Sequence, residues 1–236
     1  MNSAPNQAQP KTVQPSAAVS WLRAARALRA IGGVIKGGYG HWRSACMHRP
    51  VDARGEPLPW FTYPAIEFLG QFDLGAKRVF EFGAGNSTLY WGARCAEVVS
   101  VESDPGWHSH LDSRRGPNVR LQLETDPARY VSALGREGEP FDIIVVDGLE
   151  RLACSRAAPG MLRPGGLVVL DNADWHPGSA AALRAAGLLQ VDMTGFGPVN
   201  GYSWTTSLFF HRDFDFSARG GVRPQPGIGS IRRVVD

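Results

Sequence analysis

The chain has 236 residues, 43% of them hydrophobic, and a net charge of +3. That length buries about 70% of the unfolded surface in one domain without disulfide or metal staples, and so small a charge gives no phosphate track, so nucleic acid is not an expected partner. Seven of the 25 Lys and Arg residues and none of the 22 Asp and Glu lie in residues 1–50, which leaves the rest of the chain mildly acidic.

Residues 1–20 are rich in Pro, Gln, Asn, Ala and Ser and are expected to be disordered, because they have too little apolar surface to offset ordering entropy. From Trp21 the pattern changes. Trp21, Ala25, Leu28, Ile31 and Ile35 recur at helical spacing with Arg23, Arg26 and Arg29 between them, until Gly32-Gly33 and Gly37-Gly38 loosen it. This predicts a basic amphipathic helix over residues 21–36 whose partner is the protein's own domain, a second subunit or an anionic membrane surface. The lead-in through residue 64 carries four prolines around Trp60, Phe61 and Tyr63, followed by a helix over Ala65–Gly70.

The central stretch is RVFEFGAGNST, Arg78 to Thr88. Its β-branched and aromatic run predicts a strand; Gly83, Ala84 and Gly85 turn the chain; Asn86, Ser87 and Thr88 offer N-cap chemistry for a helix over Leu89–Ala93. Such a junction directs backbone N–H groups at one spot and lets a ligand lie against glycine backbone. A second strand, Glu97–Val101, ends in Glu102, where folds of this kind hold ribose hydroxyls. Thr88 stands where a nicotinamide fingerprint wants its third glycine, which weakens an NAD-dependent oxidoreductase reading.

Further on, Asp104-Pro105 and Asp126-Pro127 each read as an N-cap followed by proline at the first helical position. They open helices through about Leu111 and through Tyr130–Leu134, on either side of a strand over Val119–Leu123. Phe141–Gly148 is apolar as a central parallel strand should be and ends in Asp147. A helix (Arg151–Pro159), an LRPGG turn, a strand (Leu167–Leu170) ending in Asp171-Asn172, a helix (Ser179–Ala186), a strand (Leu188–Met193), a glycine-rich loop and a last strand (Tyr202–His211) follow. Alternation of this kind predicts an α/β, doubly wound, mostly parallel sheet over residues 65–212, and residues 213–236 read as an irregular tail.

With Glu81, Gly83, Gly85 and Ser87 on an acidic-x-Gly-x-Gly pattern and Glu102 after it, the stretch resembles the first motif of the class I S-adenosylmethionine-dependent methyltransferases, and MLRPGGLVVLDN resembles the family's segment after its fourth helix. The resemblance implies a seven-stranded, Rossmann-like sheet with an antiparallel last strand, and S-adenosylmethionine as cofactor. It places Glu81, Gly83, Gly85, Ser87 and Glu102 at the cofactor, puts Asp126 near the adenine amine or simply at a helix cap, and lets Trp60 to Tyr63 cover the cofactor or merely pack.

Asp147, Asp171 and Asn172 converge at two strand tips, and oxygen ligands of this kind suit Mg²⁺. A similar Asp … Asp-Asn set carries the metal in the catechol-type and macrolide-sugar O-methyltransferases. The alternative is that Asp147 fastens cofactor or loop while Asp171-Asn172 caps a turn. No lysine base follows Asp147, where Gly148, Leu149, Glu150 and Arg151 stand, so the base falls to His176, Glu150 or a metal-bound hydroxyl, with His176 the first choice and Asp147 beside it as a catalytic candidate. The expected activity is O-methylation of a small molecule, sugar or glycan precursor; a non-catalytic binding module on the same fold is the alternative. Cys46, Cys95 and Cys154 are odd in number with no CxxC pair, and no run reaches a membrane span's length, so a cytoplasmic protein is expected, although an Arg-rich, acid-free N-terminus also resembles an organellar transit peptide.

Overall fold

Near-continuous apolar runs set the architecture, because strands covered on both faces must be apolar on both. In the computed structural model, which describes residues 17–231, the chain runs α1 (Ala17–Gly33), α2 (His41–Met47), α3 (Tyr63–Leu69), β1 (Arg78–Phe82), α4 (Asn86–Gly92), β2 (Glu97–Glu102), α5 (Pro105–Asp112), β3 (Val119–Leu123), α6 (Pro127–Ser132), β4 (Phe141–Val146), α7 (Arg151–Ala157), β5 (Leu162–Leu170), α8 (Pro177–Ala185), β6 (Leu189–Phe196) and β7 (Ser203–Phe210). Most of the segment expected to be disordered, residues 1–16, lies outside the described residues; helix has begun by Ala17.

The sheet has seven strands in the order β3-β2-β1-β4-β5-β7-β6. All pairings are parallel except those of β7, which runs antiparallel to both β5 and β6. Phe82 pairs with both Val101 and Val146, and Val146 with Leu170, so four strands end at one level. The strand order reverses between β1 and β4, which makes their carboxyl ends the switch point where open α/β sheets bind ligands. On one face Val79, Ile143, Val145, Val169 and Leu208 pack with Phe61, Leu69, Phe72 and Trp91. On the other, Phe80, Phe82, Ile144, Val146 and Phe209 pack with Tyr130, Leu134, Cys154 and Leu183.

Several boundaries move from their sequence expectation. Gly85 is the N-cap of α4, so Asn86, Ser87 and Thr88 lie inside its first turn. The LRPGG turn is absorbed into β5, where Gly165 at φ +80° takes up a register jump between Phe141↔Leu162 and Ile143↔Leu167. β6 runs on through Phe196 because Thr194, Gly195 and Phe196 still pair with β7. The tail is irregular but docked: Phe216 packs edge-on against Phe72 at 5.9 Å, and Arg219 N donates to Gln71 O at 2.8 Å. Among the described residues no helix is long and apolar enough to cross a membrane.

Candidate functional site

The site begins where two loops touch. Gly83 sits at φ +89°, and a Cβ there would lie 2.7 Å from Gly148 Cα and 2.9 Å from Asp147 O; only glycine meets both demands. A Cβ on Gly148 would lie 2.0 Å from Tyr130 Oη. The turns after β1 and β4 therefore meet glycine to glycine. Gly85 is extended and a Cβ there would have no neighbour closer than Ser87 Oγ at 3.6 Å, so its backbone stands open.

Above this contact is a cavity of about 480 Å³. Gly83, Ala84, Gly85, Asn86 and Ser87 form its floor, Glu102, Ser103 and Trp107 one wall, and Tyr130 with Asp147, Gly148 and Leu149 another. His48, Arg49, Pro50 and Trp60 of the lead-in close it, held down by Asn86 Nδ2 donating to Pro50 O at 2.7 Å. Of the lead-in aromatics, Trp60 lines the cavity, whereas Phe61 and Tyr63 are core residues.

Glu102 is buried, and its carboxylate orders the loops: Oε2 accepts from Ala84 N at 3.0 Å, and Oε1 from Ser103 N at 2.7 Å and Asp104 N at 2.8 Å. A carboxylate oxygen has two lone pairs, so Oε2 keeps one for a ligand. Trp107 Nε1 donates to Ala84 O at 2.7 Å, fixing the indole against the glycine loop. Three buried polar atoms of the lining residues, Arg49 Nε, Asn86 Oδ1 and Tyr130 Oη, have no partner. Unsatisfied buried groups beside a cavity are what a polar ligand would complete.

Glu81 is placed differently from its expectation as a cofactor contact. It is fully buried under the loop and outside the cavity wall, with Oε2 accepting from Thr88 Oγ1 at 2.5 Å and Ser100 Oγ at 2.8 Å. Burial pushes its carboxyl up to about 7 against the lowering effect of the Ser87, Thr88 and Ser100 hydroxyls. Glu81 thus braces the loop from beneath. Asp126 is exposed, caps α6 by accepting from Arg129 N at 2.9 Å, and is not part of the wall; of its two expected roles the structure displays the cap.

The expected metal triad is filled by an arginine. Arg151 Nη2 donates to Asp147 Oδ1 at 2.9 Å, and Nη1 donates to Asn172 Oδ1 at 3.1 Å and to the main-chain oxygen of Asp171. The Asp171 carboxylate is turned to β7, where Oδ1 accepts from Trp204 Nε1 at 3.0 Å and Thr206 Oγ1 at 2.5 Å. Among the described residues no three His, Cys, Asp or Glu stand together as a metal site. A guanidinium between Asp147 and Asn172, with the Asp171 carboxylate facing elsewhere, does not fit a divalent ion. Burial pushes the Asp147 carboxyl up to about 6 while Arg151 pulls it back. Burial and the charge of Asp147 raise Asp171 well above the usual carboxylate range. His176, half-buried at the start of α8 and outside the cavity wall, is lowered by burial and by Arg151.

Sequence reasoning missed Arg49, Trp107, Tyr130, Gly148 and, as the occupant of the triad, Arg151. Trp107 had a local signal, three residues beyond the Asp104 cap. Arg49 had none, because only the lead-in's path brings it to the strand tips.

No family model and no curated protein matches the sequence. Solved structures do. A candidate O-methyltransferase from Klebsiella pneumoniae aligns over 83% of this chain and 96% of its own, at 19% identity and a TM-score of 0.50. A precorrin-6y C5,15-methyltransferase from Geobacter metallireducens GS-15 aligns over 62% and 86%, at 13% identity and a TM-score of 0.48. The N-methyltransferase NodS from Bradyrhizobium japonicum WM9, in complex with S-adenosyl-l-homocysteine, aligns over 58% and 79%, at 15% identity and a TM-score of 0.41. The Klebsiella likeness and the strand order together define the Rossmann-like class I methyltransferase fold.

Proposed function

We propose that this chain is an S-adenosylmethionine-dependent methyltransferase that methylates a hydroxyl of a small molecule, in the class of sugars or glycan precursors. The observation that carries the reading is the convergence of the Gly83–Gly85 backbone, Glu102 and Asp147 on one cavity of about 480 Å³, within the range of small-molecule sites. Bound there, the cofactor supplies an electrophilic methyl group.

The chain's residues do the rest. With the cofactor bound, Glu102 Oε2 would accept from ribose hydroxyls, Trp107 and Leu149 would flank its ring, and the Arg49 guanidinium would meet a carboxylate. Asp147, at a carboxyl pKa of about 6, is ionised at neutral pH and takes the proton of the acceptor hydroxyl. Arg151 holds that carboxylate in place and supplies the positive charge for which a metal was expected. The exposed rings of Trp175, after β5, and Tyr202, before β7, lie 6.4 Å apart, a surface suited to the apolar face of a sugar ring, and this favours that acceptor class.

Thermal melts with S-adenosylmethionine and with NAD test the reading. At a hundredfold excess over Kd a ligand adds about 2.7 kcal/mol, roughly 5–10 °C for a domain of this size. A shift with S-adenosylmethionine alone, unchanged by chelator, is expected; no shift would remove the methyltransferase assignment.

A further inference from the structure

Of the three partners the pattern of α1 allows, its own domain, a second subunit or an anionic membrane surface, the first is not the one it meets. Every residue from Ser20 to Gly33 is exposed, with Trp21 at 76% and Leu28 at 70%. At about 100° per residue, Trp21, Ala24, Ala25, Leu28 and Ile31 share one face, and Arg23, Arg26 and Arg29 share the opposite one. The helix is nevertheless rooted. It continues into a π-helical turn, Val34–Gly38, where Gly229 lies so close that a Cβ on it would stand 2.6 Å from Val34 Cγ2. Tyr39, next in the chain, stacks on Tyr63 at 4.2 Å.

We infer that α1 is an arm that lies in the surface of an anionic lipid bilayer, with Trp21, Leu28 and Ile31 among the acyl boundary and the arginines at the headgroups. Charge chooses this occupant. Arg23, Arg26, Arg29, Lys36 and Arg43 have no acidic residue beside them anywhere in residues 1–50. A second copy packed on the apolar face would leave the arginines facing solvent with no carboxylate to pair them, whereas an anionic surface attracts each of them. A narrow apolar face with a tryptophan and a strongly basic opposite face is the pattern of helices that lie in an interface, and no described helix, α1 included, is long and apolar enough to cross.

Co-sedimentation of the full chain with vesicles of phosphatidylcholine alone, or with phosphatidylglycerol added, tests this without any activity assay, so it stands or falls separately from the proposed function. Binding is expected only to the phosphatidylglycerol vesicles and should weaken with salt. The triple change Arg23→Gln, Arg26→Gln, Arg29→Gln should lower the partition constant about a hundredfold or more. Leu28→Asp should abolish binding while circular dichroism stays unchanged. Failure to bind phosphatidylglycerol vesicles would overturn the inference, as would binding that is indifferent to Leu28→Asp. A concentration-dependent dimer, lost on Leu28→Asp and seen without vesicle binding, would assign the face to a second copy instead.

Discussion

Asp147 and Glu102 are both acidic residues at strand tips, and their partners give them different work. Three backbone N–H groups hold Glu102; one guanidinium holds Asp147. In the proposed function Glu102 accepts from ribose hydroxyls, so Glu102→Ala should weaken S-adenosylmethionine binding by about 1–3 kcal/mol, read by calorimetry; unchanged affinity would place the ribose elsewhere. As the proposed base Asp147 would act only when ionised, so kcat/KM should rise with pH through about 6 and level off above it. Arg151→Met removes the cation that lowers this carboxyl, so the acidic limb of the profile should move to higher pH. A limb that stays in place would mean that Asp147 is not the titrating base. Burial lowers His176 and Arg151 lowers it further, so a limb that moves in Arg151→Met belongs to Asp147 only if it persists in His176→Gln.

At the scale of elements, the site depends on how closely the β1 and β4 turns approach. Gly148→Ala places a Cβ 2.0 Å from Tyr130 Oη and 2.8 Å from Gly83 N, and should destabilise the fold by about 1–3 kcal/mol through overpacking. Tyr130→Phe in that background removes the nearest clashing atom and should recover part of the loss in a denaturant melt. No recovery would show that the Gly83 backbone contact dominates. The lead-in is tied to the same place by a relay across three elements: Thr62 N donates to Thr206 Oγ1, which donates to Asp171 Oδ1.

The whole molecule has a titration built under its glycine loop. The folded Glu81 carboxyl is raised from 4.5 to about 7, so between those values the folded chain binds the extra proton. Linkage then makes stability fully present below about 4.5 and lost as pH rises through about 7, by about 3 kcal/mol for this group. Wild-type protein should therefore lose stability between pH 5 and pH 8 in denaturant melts. Glu81→Gln, whose amide oxygen still accepts from Thr88 and Ser100, should lose less. Equal losses would mean that the Glu81 carboxyl is not raised.

Local chemistry was enough to read much of this protein. The apolar run Phe141–Val146, the caps at Asp104 and Asp126, and the glycine turn after Phe82 are short-range signals, because burial on both faces, a side-chain oxygen three residues from an N–H, and a positive φ each act within a few residues. They determined the α/β alternation and the position of Glu102 at the cavity. What the tertiary structure alone decided lies between distant segments. Arg151 reaches both Asp147 and Asn172 because the β4 and β5 tips end at one level. Arg49 reached the cavity because the lead-in folds back over α4. α1 stood free of the domain although its periodicity allowed docking, since an amphipathic pattern specifies that a face needs a partner and leaves the partner to the rest of the fold.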